Sequence, residues 1–157
     1  DWSSDVCSSD LLQILGDKAQ DLNRLLSDVR PDRELHKADY GDIGPKSSAE
    51  QLWDALRKAG VGPVTTSKLL ARKRPKLLPV IDTVVKETLG HQPRTNFWLT
   101  LQHYLKTDGG RLHDNLLDIR QQAGVGEGVS AIRCFDVIVW RVGRREGLGR
   151  RRGRFGT

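Results

Sequence analysis

Between Gly60 and Lys76 the chain gathers the residue types that hold an anion. Gly60 and Gly62 tolerate positive φ, so the chain can reverse tightly there. Pro63 lacks an N–H and has its φ preset, which suits a first helical position. A helix starting at Pro63 leaves the amides of Val64 and Thr65 without intrahelical acceptors. Such amides, with the positive end of the helix dipole, attract anions. Lys68, Arg72, Lys73, Arg74 and Lys76 follow closely. One or two cations at a helix C-terminus offset the dipole. Four cations between Arg72 and Lys76 exceed that need, and a phosphate partner would relieve their mutual repulsion. The chemistry on offer is contact with backbone phosphates, which positions a protein without reading sequence. A tight turn between two helices, beside a solvated cationic face, accounts for the same residues without any ligand.

A lone carboxylate stands in Pro79-Val80-Ile81-Asp82-Thr83-Val84-Val85. Asp82 is well placed to cap a helix from Thr83 to Leu89, closed by Gly90. His36 and Asp39 lie three apart, but no second pair completes a metal site, so neither metal nor cofactor is expected. His36 reads as a solvated loop histidine.

The Gly-Val-Gly turn between helices resembles the helix-hairpin-helix motif. There, hairpin amides hold DNA phosphates and the central apolar residue, here Val61, tucks between the helices. The following Val80-Ile81-Asp82-Thr83 segment is similar to that of the helix-hairpin-helix DNA glycosylases. That resemblance covers about a sixth of the chain and implies that Asp82 supports departure of a flipped base. Bifunctional members carry a lysine where this chain has Val64, so a Schiff-base lyase is not expected. Ser67-Lys68-Leu69-Leu70-Ala71-Arg72-Lys73-Arg74-Pro75 also resembles the signature of an uncharacterised family of high-GC bacteria. Its late Val-Ser-x-hydrophobic-Arg element matches the start of Val129–Arg141. This second resemblance spans most of residues 48–141 and implies an order of elements, not a reaction.

The elements that must position these residues read as helices. Leu11, Leu12, Ile14, Leu15, Leu22, Leu25 and Leu26 recur at helical spacing, predicting a helix from about Leu11 to Asp28. Arg30-Pro31 ends it. Glu34 to Pro45 reads as a polar loop. Ser47 and Glu50 have capping-box spacing, ahead of a helix with Leu52, Trp53 and Leu56 inward. The hairpin's second helix runs from Pro63 to Arg74, with Leu69 and Leu70 towards the core. After the Asp82 helix, Thr95 or Asn96 opens a helix to Lys106 whose core stripe is Phe97, Trp98, Leu101 and Leu105. Asp108-Gly109-Gly110 is a turn, and Arg111 to Gln122 is amphipathic through Leu112, Leu116, Leu117 and Ile119. Ala123-Gly124-Val125-Gly126 repeats the Ala59–Gly62 tetrapeptide, which raises the possibility of a duplicated hairpin. Ser130 caps a last helix to about Val142. Its Val137-Ile138-Val139-Trp140 run is apolar all round and predicts full burial. The expected fold class is all-α: a single multi-helix domain over residues 12–142.

Charge narrows the reading little. All of the formal +6 comes from residues 141–157, which hold seven arginines against Glu146. That Arg/Gly-rich stretch from residue 143 is expected to be disordered, and resembles a frame-shifted peptide. Residues 1–11 look like translated sequencing adapter, so the natural protein is expected to begin upstream. Residues 11–140 hold nineteen Lys/Arg and sixteen Asp/Glu, a mildly basic balance. Cys134, on an apolar helix, reads as a small buried hydrophobe, and the absence of a disulfide framework suits a reducing cytoplasm. No run of 18 apolar residues exists to span a membrane. Three readings follow: a nucleic-acid-binding module, a monofunctional base-excision enzyme using Asp82, or a structural domain in which the hairpin is only a turn. DNA is the partner expected from the first two; the chain names no protein partner.

Overall fold

The computed structural model describes Gly16, residues 18–92 and residues 95–149. The adapter-like stretch, the first turns expected of the opening helix and the tail from Arg150 lie outside the described residues. Among the described residues every regular element is helical, so the all-α class holds. In chain order these are α1 (Ala19–Asp28), α2 (Tyr40–Ile43), α3 (Ser48–Lys58), α4 (Pro63–Lys73), α5 (Thr83–Thr88), α6 (Phe97–Lys106), α7 (Arg111–Gln122) and α8 (Ala131–Arg145). Short 3-10 turns at Leu35–Lys37 and Thr107–Gly110 complete the set. No helix among the described residues is long and apolar enough to cross a membrane.

Helix starts follow side-chain chemistry. Ser47, Asp82, Asn96 and Ser130 each accept an N–H from three residues downstream, which satisfies one orphan donor of the following helix. At α3 the reciprocal half of the box is displaced by one residue: Glu50 accepts the amide of Lys46 at 2.6 Å, not that of Ser47. One core then joins the helices. Leu22 and Leu25 of α1, Leu52 and Leu56 of α3 and Leu70 of α4 share it with Phe97, Trp98, Leu101 and Leu105 of α6, and Ile132, Phe135 and Val139 of α8. Trp53 and Trp98 meet edge to face, with centroids 6.0 Å apart.

Four expectations are corrected. The polar loop over 34–45 is instead a folded corner, with a 3-10 turn and α2 burying Leu35, Ala38 and Ile43 completely. Asp39 and Asp42 close a reciprocal cap on α2 while Arg33 pairs with both carboxylates. The second correction concerns the apolar run in α8: Val137 and Trp140 face outward, 62 % and 43 % exposed. Leu69 and Ile119 likewise lie outside the core. Finally, α8 continues past Val142 to Arg145, so order does not stop at Gly143. Gly143 is buried where α8 crosses α5; a Cβ there would collide with Thr88 Oγ1 and Val84 Cγ1. Only glycine permits so close a crossing, and it holds α5, hence Asp82, against α8.

Candidate nucleic-acid interface

The hairpin is built by a helix end and a helix start that share three residues. At the end of α3, Gly60 takes φ +88°. Its amide donates to Arg57 O at 3.1 Å, and the amide of Val61 donates to Leu56 O, also at 3.1 Å. This is a Schellman closure, which consumes the last carbonyls of the helix and requires the left-handed residue that glycine supplies. Val61 is 0 % exposed and anchors the turn in the core. Gly62 is extended (φ −60°, ψ 153°) and acts as N-cap to α4, with Pro63 at its first position.

The amides then divide into two groups. Those of Gly60 and Val61 are used internally, contrary to a reading in which the whole turn offers donors. Those of Gly62, Val64 and Thr65 have no acceptor among the described residues, and all three residues are partly exposed. Nothing acidic lies in the first turn of α4 to occupy them. The turn's inward carbonyl is neutralised in turn: Val61 O accepts from the Arg57 guanidinium and, at 3.4 Å, from Thr66 Oγ1. A carbonyl that would repel a phosphate is thereby covered, and a cation is brought to the hairpin. Arg57 was not singled out from the sequence; its position four residues before Val61 was the available signal.

The cationic cluster is split by the structure. Lys68, Arg72, Lys73 and Lys76 are exposed. Arg74 departs from the expectation of a phosphate ligand. Its guanidinium donates to Val29 O and Leu26 O, closing the C-terminal end of α1, and to Lys73 O. Partial burial lowers its pKa, and the carbonyls serve in place of water. The C-terminal end of α4 is also tied down from α8: Arg133 Nη2 donates to Ala71 O at 3.0 Å and Ser130 Oγ to Pro75 O.

Asp82 caps α5, accepting the Val85 amide at 2.9 Å, and is half-buried. The segment before it is pinned on both sides. Ile81 N donates to Ser67 Oγ at 2.6 Å, and Val80 N donates to Asp136 Oδ2 at 3.0 Å. Asp136 escaped sequence reading altogether. It is 5 % exposed, and its Oδ2 also accepts from Arg133 at 2.8 Å, while its buried Oδ1 has no partner among the described residues. Burial raises its pKa to about 7; the Val80 amide and Arg133 oppose that rise, and nearby Asp82 adds to it. Two cavities, of about 260 and 550 Å3, share His91, Thr95 and Phe97 in their walls, and Asp82 lines neither.

The expectations for His36 and for the repeated tetrapeptide are both decided by geometry. His36 is not a solvated loop residue: it stacks on His113 with centroids 3.6 Å apart, and burial lowers the pKa of both. Among the described residues no group of three or more His, Cys, Asp or Glu could hold a metal ion. The repeated tetrapeptide reproduces only half of the hairpin. Gly124 (φ +65°) and Val125 close α7 as Gly60 and Val61 close α3, yet Val125 is exposed and α8 begins only at Ala131. No duplicated hairpin results.

A family model, described as a family of unknown function (DUF6308), matches residues 3–143. That span takes in most of the adapter-like segment as well as the whole of the hairpin and the Asp82 segment. No curated protein and no solved structure matches the chain.

Proposed function

The chain belongs to the DUF6308 family, and for it we propose a nucleic-acid-binding role: the hairpin and the start of α4 hold backbone phosphates of DNA. The observation that carries this reading is the division of the amides. Three donors, on Gly62, Val64 and Thr65, converge on one helix start with no internal acceptor among the described residues. The helix dipole reinforces them. A helix-hairpin-helix-like unit of this kind makes contacts that are blind to base identity. Lys68, Arg72, Lys73 and Lys76 supply the sequence-independent charge, with Arg57 at the turn itself. Arg74 is left out, because its donors are committed to α1.

Base excision through Asp82 is the weaker reading. Its carboxylate serves as a helix cap and lines neither of the two cavities described above.

The test is duplex binding by the Arg72→Ala/Lys73→Ala/Lys76→Ala variant. These side chains are exposed, so the variant is expected to unfold like the parent. Its plot of log affinity against log salt should flatten by about 0.9 for each phosphate that the variant no longer neutralises. An unchanged slope and affinity would remove the cluster from the interface.

A further inference from the structure

We propose that the outward face of α8 is a second, separate surface, one that stacks a base of single-stranded nucleic acid on Trp140. The reading stands on α8 alone and does not rest on the hairpin. Ile132, Phe135, Val139 and Gly143 turn one side of the helix into the core. Helical spacing then sends Val137, Trp140, Arg141 and Arg144 to the opposite side as one stripe. All four are exposed. The guanidinium of Arg144 lies over the indole, 5.7 Å from the ring centroid. Arg145 extends the cationic end of the same helix.

The charge that α8 itself places on this face has one sign. Between Ala131 and Arg145 the only acid is Asp136, and it points inward. An indole held among arginines, with part of its surface open, fits a flat aromatic ring joined to phosphates. Stacking on an aromatic side chain is tolerant of base identity, and neighbouring arginines take the backbone charge. A lipid surface would demand a broad apolar stripe. Here the broad apolar stripe is already used by the core, and the exposed apolar side chains of α8 are Val137 and Trp140 between cations, with Val142 off to one flank.

The experiment compares a labelled twelve-nucleotide oligo(dT) with an abasic oligomer of equal length and charge, using the full chain. The parent should bind oligo(dT) at least about fivefold more tightly than the abasic strand, the lower bound for one stacked base. Trp140→Ala should erase that difference, while Trp140→Phe retains most of it. Arg141→Ala/Arg144→Ala should weaken both strands equally. In the Arg72→Ala/Lys73→Ala/Lys76→Ala background the difference between strands should persist, so failure here and failure at the hairpin are told apart. Equal affinity for the two strands would overturn the proposal, as would an unaffected Trp140→Ala variant. So would Trp140-dependent binding to phosphatidylserine vesicles without any preference for oligo(dT).

Discussion

Asp136→Asn should be more stable than the parent at pH 8 and about equally stable at pH 4. The reason lies in the two oxygens of Asp136. Oδ2 takes both available donors, from Val80 N and Arg133, and Oδ1 is buried without a partner. An asparagine keeps its carbonyl on the two donors and places its NH2 where the neutral acid carries its proton. It therefore mimics protonated Asp136 at every pH. The parent cannot. Its folded carboxyl titrates near 7, against 3.8 for an ordinary aspartate.

The sign follows directly. Between about pH 4 and pH 7 the folded state holds a proton that the unfolded state has released, so stability falls as pH rises through that window. The full ionisation penalty is on the order of 4 kcal/mol. Even a quarter of it would show as a shift of several degrees in Tm. His36 and His113 pull the other way, since buried neutral imidazoles lose stability as pH falls. They are common to both proteins, so the difference between parent and variant isolates Asp136. Urea unfolding at pH 4, 6 and 8 measures it. A variant that is less stable than the parent at pH 8 would show Asp136 to be ionised and held by Arg133.

Thr65→Glu should move stability and binding in opposite directions. Thr65 is the third residue of α4, and no acid occupies that first turn. A glutamate there can reach back to the amide of the N-cap, here Gly62, as in a capping box. Its charge also meets the positive end of the dipole, a gain of about 0.3–1 kcal/mol. The same carboxylate fills the place assigned to a phosphate. Duplex affinity should drop by about tenfold or more, since attraction is replaced by repulsion. Because the variant is expected to be the more stable protein, misfolding cannot account for such a drop. Thermal unfolding and fluorescence anisotropy on one preparation give both readings. Raised stability with undiminished binding would place the phosphate elsewhere.

Local chemistry was legible in the chain, and long-range commitments were not. The hairpin follows from Gly60, which takes a positive φ, and from Pro63 at the first position of α4; Gly62, expected to share that freedom, is extended at φ −60° and does not use it. The caps at Ser47, Asp82, Asn96 and Ser130 are equally local. Arg74 is different. Its partners, Leu26 and Val29, lie more than forty positions away, and within a run of cations nothing marks it as the one bound inward. Asp136 was hidden for the same reason: the amide that holds it, on Val80, lies 56 positions earlier in the chain. The run from Val137 to Trp140 has no polar residue to show which side faces water, so Trp140 could not be placed. Leu35, Ala38 and Ile43 are sparse apolar residues among charged and glycine neighbours, with Gly41, Gly44 and Pro45 close by, so the stretch reads as a loop and the corner they bury was missed. Gly124-Val125 shows how far a tetrapeptide reaches: it fixes a helix end, while the next helix starts only where a capping residue stands, here Ser130.

The most direct test is to follow backbone amides by two-dimensional 1H–15N NMR while a short DNA duplex is added. The amides of Gly62, Val64 and Thr65 should shift strongly and in parallel with saturation, while those of Gly60 and Val61, already bonded within the turn, move little. A duplex that leaves the Gly62, Val64 and Thr65 resonances in place, whether or not it binds another face, would contradict the account.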